Sequence, residues 1–423
     1  MARANPRLGY HYYPDDHHFT LEDLRRWTPV LAELGASWLT VRAGLRRAIP
    51  EGFLRGLLEA GVEPIVHMPL QIGSLRPPDL SPMFEIYARW GVRYVVLFDR
   101  PNMRIGWESS DWGRQGLVER FVDHLLPFLL AQQTAGLSPV FPPLEPGGDY
   151  WDTSFLETAL RSIKRRGKQS ILHDLTLGVY AWADGKSLDW GSGGPQRWPD
   201  AHPYYTPPGC QDHRGLHIAD WYAAISEAAI EHVAPMITIA GDARTKGSES
   251  KSALGPDPLG ETTVAVARML EGGRIHRALQ NFNFYLLASE DGDRDLAWFP
   301  GPDAPRAVVS HMRDYVASLP SQPSLGEGKP LEHYVLLGAP LAANFRKSWS
   351  TLGDLVYSAK PVVGFSSQEA RYARRVTVAA GSDVIPERTL RGLREAGCEV
   401  QRLPRPILNG ITNGTFPDSG NPT

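Results

Sequence analysis

The chain has 423 residues, of which 42% are hydrophobic and 22% charged, with a formal net charge of −3. That balance describes an ordinary globular protein and gives no reason to expect nucleic acid or an anionic membrane as a partner. The length exceeds what one hydrophobic core usually serves, so a large domain with a smaller companion is expected.

Strand-like and helix-like patterns alternate from residue 8 to about residue 318. "PRLGYHYY" reads as a short strand, and "TLEDLRRWTPVLAELG" as an amphipathic helix closed by Gly35. "SWLTVRA" and "PEGFLRGLLEAG" form a second pair, with Pro50 suited to a first helical turn. "EPIVHMP" with "PMFEIYARWG" is the third, and "RYVVLF" with one long helix from Trp112 to Thr134 the fourth. "LSPVFPP" precedes "TSFLETALRSIKRRG", "LTLGVYAW" precedes "IADWYAAISEAAIEHV", and "PMITIA" precedes "TTVAVARMLEGG". "RALQNFNFYLLA" and "APRAVVSHMRDYVASL" complete an eighth unit. Eight such units predict a (β/α)8 barrel over residues 1–319. A doubly wound sheet is the rival, but the glycine-rich phosphate loop expected after its first strand is missing.

The segment "PSQPSLGEGKP", residues 320–330, reads as a linker. Strands "EHYVLLG", "KPVVGFS", "RRVTVAAG" and "CEVQRL" with helices "SQEARYARR" and "PERTLRGLREAGC" then predict a small α/β domain, residues 331–408. Residues 409–423 offer nothing to bury and are expected to be a disordered tail. The two cysteines, Cys210 and Cys398, form neither a metal cluster nor a disulfide framework, and Cys398 is expected to be a small buried residue. No apolar leader or membrane-length run is visible, which makes the cytoplasm the expected compartment. No cofactor motif is present, and no cofactor is expected.

In a barrel, chemistry collects where the strands end. The candidates are His11 and Tyr12 after strand one, Arg42 after two, His67 after three, and Asp99, Arg100 and Asn102 after four. Glu145 and Asp149 follow strand five, Trp182 and Asp184 six, Asp242 and Arg244 seven, and Tyr285, Glu290 and Asp291 eight. The connection from Trp182 to His217 is unusually long and carries Trp190, Trp198, Tyr204 and Tyr205. Such a segment is either a lid or binding wall, or an ornament packed on the rim. The aromatic content, 12 Trp and 15 Tyr, suits flat, weakly polar ligands such as sugars, though core packing accounts for many of these residues equally well.

"YVVLFDRPNMRIGW" resembles the fourth strand of the clan A glycoside hydrolases, which ends in Asn-Glu-Pro. "PMITIAGDAR" resembles their seventh strand, ending Thr-Glu-x-Gly, and "FNFYLLASEDGDRDLAWF" their eighth. The resemblance spans residues 8 to about 318 and implies a sugar ligand. It also implies two catalytic glutamates, held ~5–5.5 Å apart in retaining enzymes. Laid on those motifs, Asp99 stands at the Asn position, Arg100 at the acid/base position and Ile239 at the nucleophile position. Arg keeps its proton at working pH and Ile has no nucleophilic atom, so a degenerate barrel that binds a glycan is expected. A guanidinium there would favour an anionic sugar, unless Arg100 merely pairs with Asp99 or Asp242. The alternative is a hydrolase using displaced carboxylates, Glu145 and Asp242 first, Asp184 and Glu290 next. A metal hydrolase would need more than His11, His17, His18 and His67, which lack the spacing of a ligand set, so no metal is expected.

Overall fold

The computed structural model describes residues 5–45, 47–242, 258–301, 304–319, 329–337, 361–381 and 385–403. Most of the expected linker, the expected tail and Arg244 lie outside the described residues. By contacts the chain divides into two compact units, Arg3–Pro320 and Ser321–Thr423.

The first unit is a barrel. Its strands are β1 (Leu8–His11), β2 (Trp38–Arg42), β3 (Glu63–Met68), β4 (Tyr94–Leu97), β5 (Val140–Phe141), β6 (Thr176–Trp182), β7 (Met236–Asp242) and β8 (Phe282–Phe284). They pair in parallel in the order β4-β3-β2-β1-β8-β7-β6-β5. A bridge between Tyr94 and Ser138, with Ser138 N donating to Arg93 O at 3.0 Å, joins the two ends. The crossover helices are α1 (Leu21–Glu33), α2 (Glu51–Glu59), α3 (Pro77–Arg89), α4 (Leu117–Ala135), α5 (Asp152–Arg165), α6 (Ile218–Ile230), α7 (Pro258–Glu271) and α8 (Ala307–Ser318).

Because side chains alternate along a strand, each barrel strand feeds two cores. One face packs outward against the helices, as Leu39, Val66, Val95, Leu177 and Phe282 do. The other fills the barrel interior with Ile65, Tyr94, Val96, Val140, Tyr180, Ile237 and Ile239. Gly9 is required on β1 because a Cβ there would collide with the Asn283 side chain inside the barrel.

Three expectations of the sequence are corrected. The long fourth helix starts only at Leu117, since Gly116 is left-handed (φ 70°) and separates it from a short helix, Ser109–Trp112. The expected eighth strand is cut to three residues, because the Asn281 side chain takes the place of main chain beside β7. Its amide oxygen accepts from Thr238 N at 2.9 Å and its amide nitrogen donates to Thr238 O at 3.0 Å. In the second unit, the helix expected from "SQEARYARR" stops after one turn because a strand begins at Ala373.

That unit is a four-stranded parallel sheet of β9 (Leu331–Leu337), β10 (Val362–Gly364), β11 (Ala373–Ala379) and β12 (Glu399–Arg402), ordered β10-β9-β11-β12. Helices α9 (Ser367–Ala370) and α10 (Glu387–Glu395) accompany it. Its core holds Tyr334, Leu336, Val376, Val378, Leu390 and Cys398. Cys398 is buried, and its Sγ also receives a hydrogen bond from Lys329 Nζ at 2.8 Å.

Glu63, at the amino end of β3, lies largely out of water, and burial raises its carboxyl to about 7 against a smaller opposing pull from Arg93. A carboxyl raised above its unfolded value stabilises the fold below pH ~4.5, and that contribution is lost as pH climbs through about 7. Glu63→Gln is therefore expected to leave stability at pH 4 nearly unchanged. At pH 8 it should raise stability by about 3 kcal/mol, since the carboxyl is raised by roughly 2.5 tenfold steps in proton affinity, each worth ~1.4 kcal/mol. Thermal melts at the two pH values check this; equal effects at both would refute it.

Candidate binding site at the barrel mouth

At the carboxyl ends of the strands, alternation and register bring one set of side chains together. Arg42 pairs across to His67, and Trp182 to Asp242. A Cβ on Gly241 would lie 2.7 Å from Phe282, a residue of the outer core, so the next side chain, Asp242, faces the opposite way, into the mouth. The layer is completed by His11, whose ring meets Tyr285 edge-on at 5.1 Å, and by Asp99, Arg100 and Glu145.

The loop after β4 is held in an uncommon backbone shape. Phe98 (φ 65°) and Arg100 (φ 48°) are both left-handed, a conformation that costs a non-glycine residue on the order of 1–3 kcal/mol. It is fixed from both sides: Phe98 N donates to Met68 O at 2.9 Å and Arg100 N to Pro143 O at 3.0 Å. The result turns Asp99 and Arg100 inward. Asp99 accepts from Tyr180 OH at 2.7 Å, while the Arg100 guanidinium lies over the Tyr180 ring, 4.7 Å from its centre. Arg100 Nε lies 2.9 Å from Glu145 Oε2 and 3.8 Å from Asp99 Oδ1. The Glu145 contact is an ion pair without hydrogen-bond alignment at Nε. Burial would lower the Arg100 pKa, but Tyr180, Asp99 and Glu145 outweigh it and raise it. Arg100 thus reaches its expected place and is answered by carboxylates, Glu145 rather than Asp242 being the nearer partner. The expected preference for an anion at Arg100 loses its physical basis.

Burial lowers both mouth histidines. His11 falls to about 3, with His67 and Arg42 adding to the effect. Burial also lowers His67, against the opposing pull of Asp99 and a contact with Phe98 O at 3.0 Å. Both are neutral imidazoles at pH 7, able to donate from one nitrogen and accept at the other. Trp182 stacks on Tyr180 at 5.8 Å and meets Tyr285 edge-on at 5.9 Å, forming an aromatic floor. Among the described residues, His11 Nδ1 and Trp182 Nε1 of this layer are buried without a hydrogen-bond partner.

Several sequence candidates lie elsewhere. Tyr12 follows the inward-facing His11 and so faces outward, buried among Tyr13, Trp27 and Phe53. Asn102 is fully buried and acts as a strap: its amide donates to Glu145 O (2.8 Å) and Tyr150 O (2.9 Å), and accepts from Glu145 N (2.9 Å). It fixes the loop that carries Glu145. Ile239 is fully buried in the interior core, with Trp182 and Tyr285 packed against that cluster, and β7 runs three residues further to Asp242. Asp184, Asp149, Glu290 and Asp291 are exposed. Asp149 accepts from Arg104 N at 2.8 Å, and Glu290 raises Tyr13 rather than facing the floor. Among the described residues, no group of three His, Cys, Asp or Glu is placed to hold a metal ion.

Tyr180 was not among the sequence candidates. It sits two residues before Trp182 on the same strand face, and that spacing was the available signal. The long connection after β6 is a built structure containing a short helix, Gly194–Arg197, and a bridge between His202 and Tyr205. Its tryptophans serve the loop itself, Trp190 Nε1 donating to Asp212 Oδ1 (3.2 Å) and Trp198 Nε1 to Ser192 O (3.1 Å). Asp212 is its hub. Burial would raise that carboxyl, but Arg214, Thr206 and Lys186 hold it well below the usual range. Asp152, fully buried at the start of α5, ties the loop down by bonding His213 at 2.6 Å and Tyr222 at 2.8 Å. Only Tyr204 and Tyr205 of its aromatic residues are strongly exposed.

No protein-family model matches the chain, and no curated protein does. Among solved structures it is similar to a GH128 (subgroup II) endo-beta-1,3-glucanase from Pseudomonas viridiflava: 10% identity over 74% of this chain and 98% of that one, TM-score 0.45. A family 39 glycoside hydrolase from Bacteroides cellulosilyticus WH2 gives 10% identity over 75% of this chain and 65% of that one, TM-score 0.49. The beta-glucuronidase of Ruminococcus gnavus gives 12% identity over 74% and 50%, TM-score 0.41. The barrel is established by its own strand pairing, and likenesses this distant do not extend to an activity.

Proposed function

We propose that the barrel mouth binds a glycan on the Trp182–Tyr285 floor, without the retaining hydrolysis of the clan A enzymes that its strand-end motifs resemble. One observation carries the reading: an aromatic floor ringed by polar side chains, with His11 Nδ1 and Trp182 Nε1 buried and unanswered among the described residues. Buried polar atoms are normally hydrogen-bonded, and sugar hydroxyls, which both donate and accept, would satisfy both atoms while C–H faces lie on the indole. The loss of retaining chemistry rests on Arg100 and Ile239 at the two motif positions. Neither side chain can act as acid, base or nucleophile there.

The test is a glycan array followed by calorimetric titration of whichever oligosaccharide binds. Trp182→Ala is expected to weaken that binding by ~30-fold, about 2 kcal/mol, as for a central aromatic anchor. Trp182→Phe, which keeps the ring and removes the donor, should fall between. An array without a single bound glycan would sink the proposal.

A second reading is favoured by Asp242, a buried acid facing the mouth at the end of β7, with Glu145 on the same rim. Under it the two carboxylates act across a water in an inverting hydrolysis. Aryl-glycoside turnover abolished by both Glu145→Gln and Asp242→Asn would establish that reading in place of the first.

A further inference from the structure

Beside the mouth, the loops after β1, β2 and β3 line an open cleft of about 810 Å³ that includes Asp15, Asp16, His17, Arg42, Gly44 and Arg47. Its volume falls within the roughly 300–1,000 Å³ of ligand pockets. Arg42 belongs to both regions: it is the last residue of β2, in the mouth layer, and it lines the cleft. Arg42 is thus the residue that the mouth layer and the cleft have in common.

The charges of the cleft are unequal in their freedom. Each of its two acids meets a histidine, Asp16 with His17 Nδ1 at 3.3 Å and Asp15 with His18 Nε2 at 3.4 Å, pairs that carry opposite charges only when the imidazole is protonated. Asp15 also accepts from His17 N at 3.0 Å, and the Asp16 carboxylate lies against Gly44, where a Cβ would displace it. Arg42 and Arg47 are exposed, and among the described residues neither has a carboxylate within ion-pair distance. Arg100, the cation that the motif pointed to, is the one already answered by Glu145.

We propose that this cleft is a subsite for an acidic sugar chain, whose anionic groups are received by Arg42 and Arg47. The proposal rests on the mouth being a glycan site and names the class of glycan. Guanidinium groups match carboxylate and sulfate oxygens with paired N–H donors, and a polymer carrying such a group on successive sugars would meet both arginines.

The experiment titrates the full chain with three hexasaccharides: hexagalacturonate, carrying carboxylates; a κ-carrageenan hexasaccharide, carrying sulfates; and neutral xylohexaose. At low salt, at least one acidic hexamer is expected to bind tenfold or more tighter than xylohexaose. That advantage should shrink as salt rises to ~0.5 M, because exposed charges are screened over a few ångströms there. The hexamer that shows it identifies the anion. Arg47→Gln, on an exposed residue away from the floor, should remove most of the advantage and leave xylohexaose within twofold of wild type; Arg42→Gln should weaken the acidic hexamers at least as much. Equal binding of acidic and neutral hexamers, or an Arg47→Gln protein that keeps the preference, overturns the proposal and leaves the mouth reading intact. If neither these hexamers nor any array glycan binds, both readings fall together.

Discussion

Asp152→Ala is expected to destabilise the barrel by about 3–5 kcal/mol, since each buried donor left without an acceptor costs roughly 1–3 kcal/mol. Asp152 is fully buried and answers three donors at once: His213 Nε2 at 2.6 Å, Tyr222 OH at 2.8 Å and Gly147 N at 2.8 Å. These belong to the long connection after β6, to α6 and to the loop that carries Glu145, so a single carboxylate fastens three pieces of the rim. Alanine leaves all three donors without an acceptor in a place water reaches poorly. Residues 183–217 should then become a preferred site of limited proteolysis, and any glycan binding at the mouth should weaken because the Glu145 loop loses its anchor. Asp152→Asn keeps the shape and one acceptor oxygen, and should lose roughly half as much stability. Urea melts and timed trypsin digests would measure this. A loss below ~1 kcal/mol with an uncut loop would show that the anchor is redundant.

The second large effect concerns an attempt at repair. The strand motifs suggest that glutamates at residues 100 and 239 would restore hydrolysis, but the structure argues against it. Ile239 has no exposed surface and belongs to the interior core with Val96, Val140, Tyr180 and Ile237. Its carbonyl oxygen already accepts from Thr40 Oγ1 at 2.8 Å. A carboxylate there would be stripped of water, at a cost of several kcal/mol. Ile239→Glu, alone or with Arg100→Glu, is expected to lower stability by about 4 kcal/mol or more and to gain no activity on aryl glycosides. Circular dichroism melts and an activity assay decide it. A variant folded as firmly as wild type would mean that residue 239 reaches water after all.

The barrel was legible because it is a matter of periodicity: alternating strands, helices at 3.6-residue spacing, and glycine or proline at their ends. The units are long and repeat eight times, so no single error could hide the pattern. The strand-end candidates were legible for the same reason, and His11, Arg42, His67, Arg100 and Tyr285 do meet in one layer. What sequence could not supply was direction. Tyr12 and His11 are neighbours in the chain, yet alternation sends one to the outer core and the other to the mouth. The motif placed Ile239 at the strand end, whereas Val179 pairs with Thr238 and Tyr180 with Ala240, so Ile239 is the extra residue of a bulge within β7, and the strand continues to Asp242. Partnerships between distant segments were equally hidden. Glu145 answering Arg100, and Asp152 holding His213 61 positions away, depend on loops whose course no local pattern records.

The Asn281 graft between β7 and β8 has a consequence for how this barrel tolerates change. Most of its staves are joined by peptide groups, which every residue but proline carries in full, so those joints are indifferent to substitution. Beside Thr238 the joint demands an oxygen facing an N–H and an N–H facing an oxygen, spaced as in a peptide. Aspartate would set oxygen against oxygen, glutamine would overreach, and leucine would leave both groups bare. The ring thus depends on the genetic identity of single residues at two points among the described residues: Asn281 here, and Gln132, whose amide donates to Val95 O at 2.8 Å and accepts from Val140 N at 3.4 Å between β4 and β5.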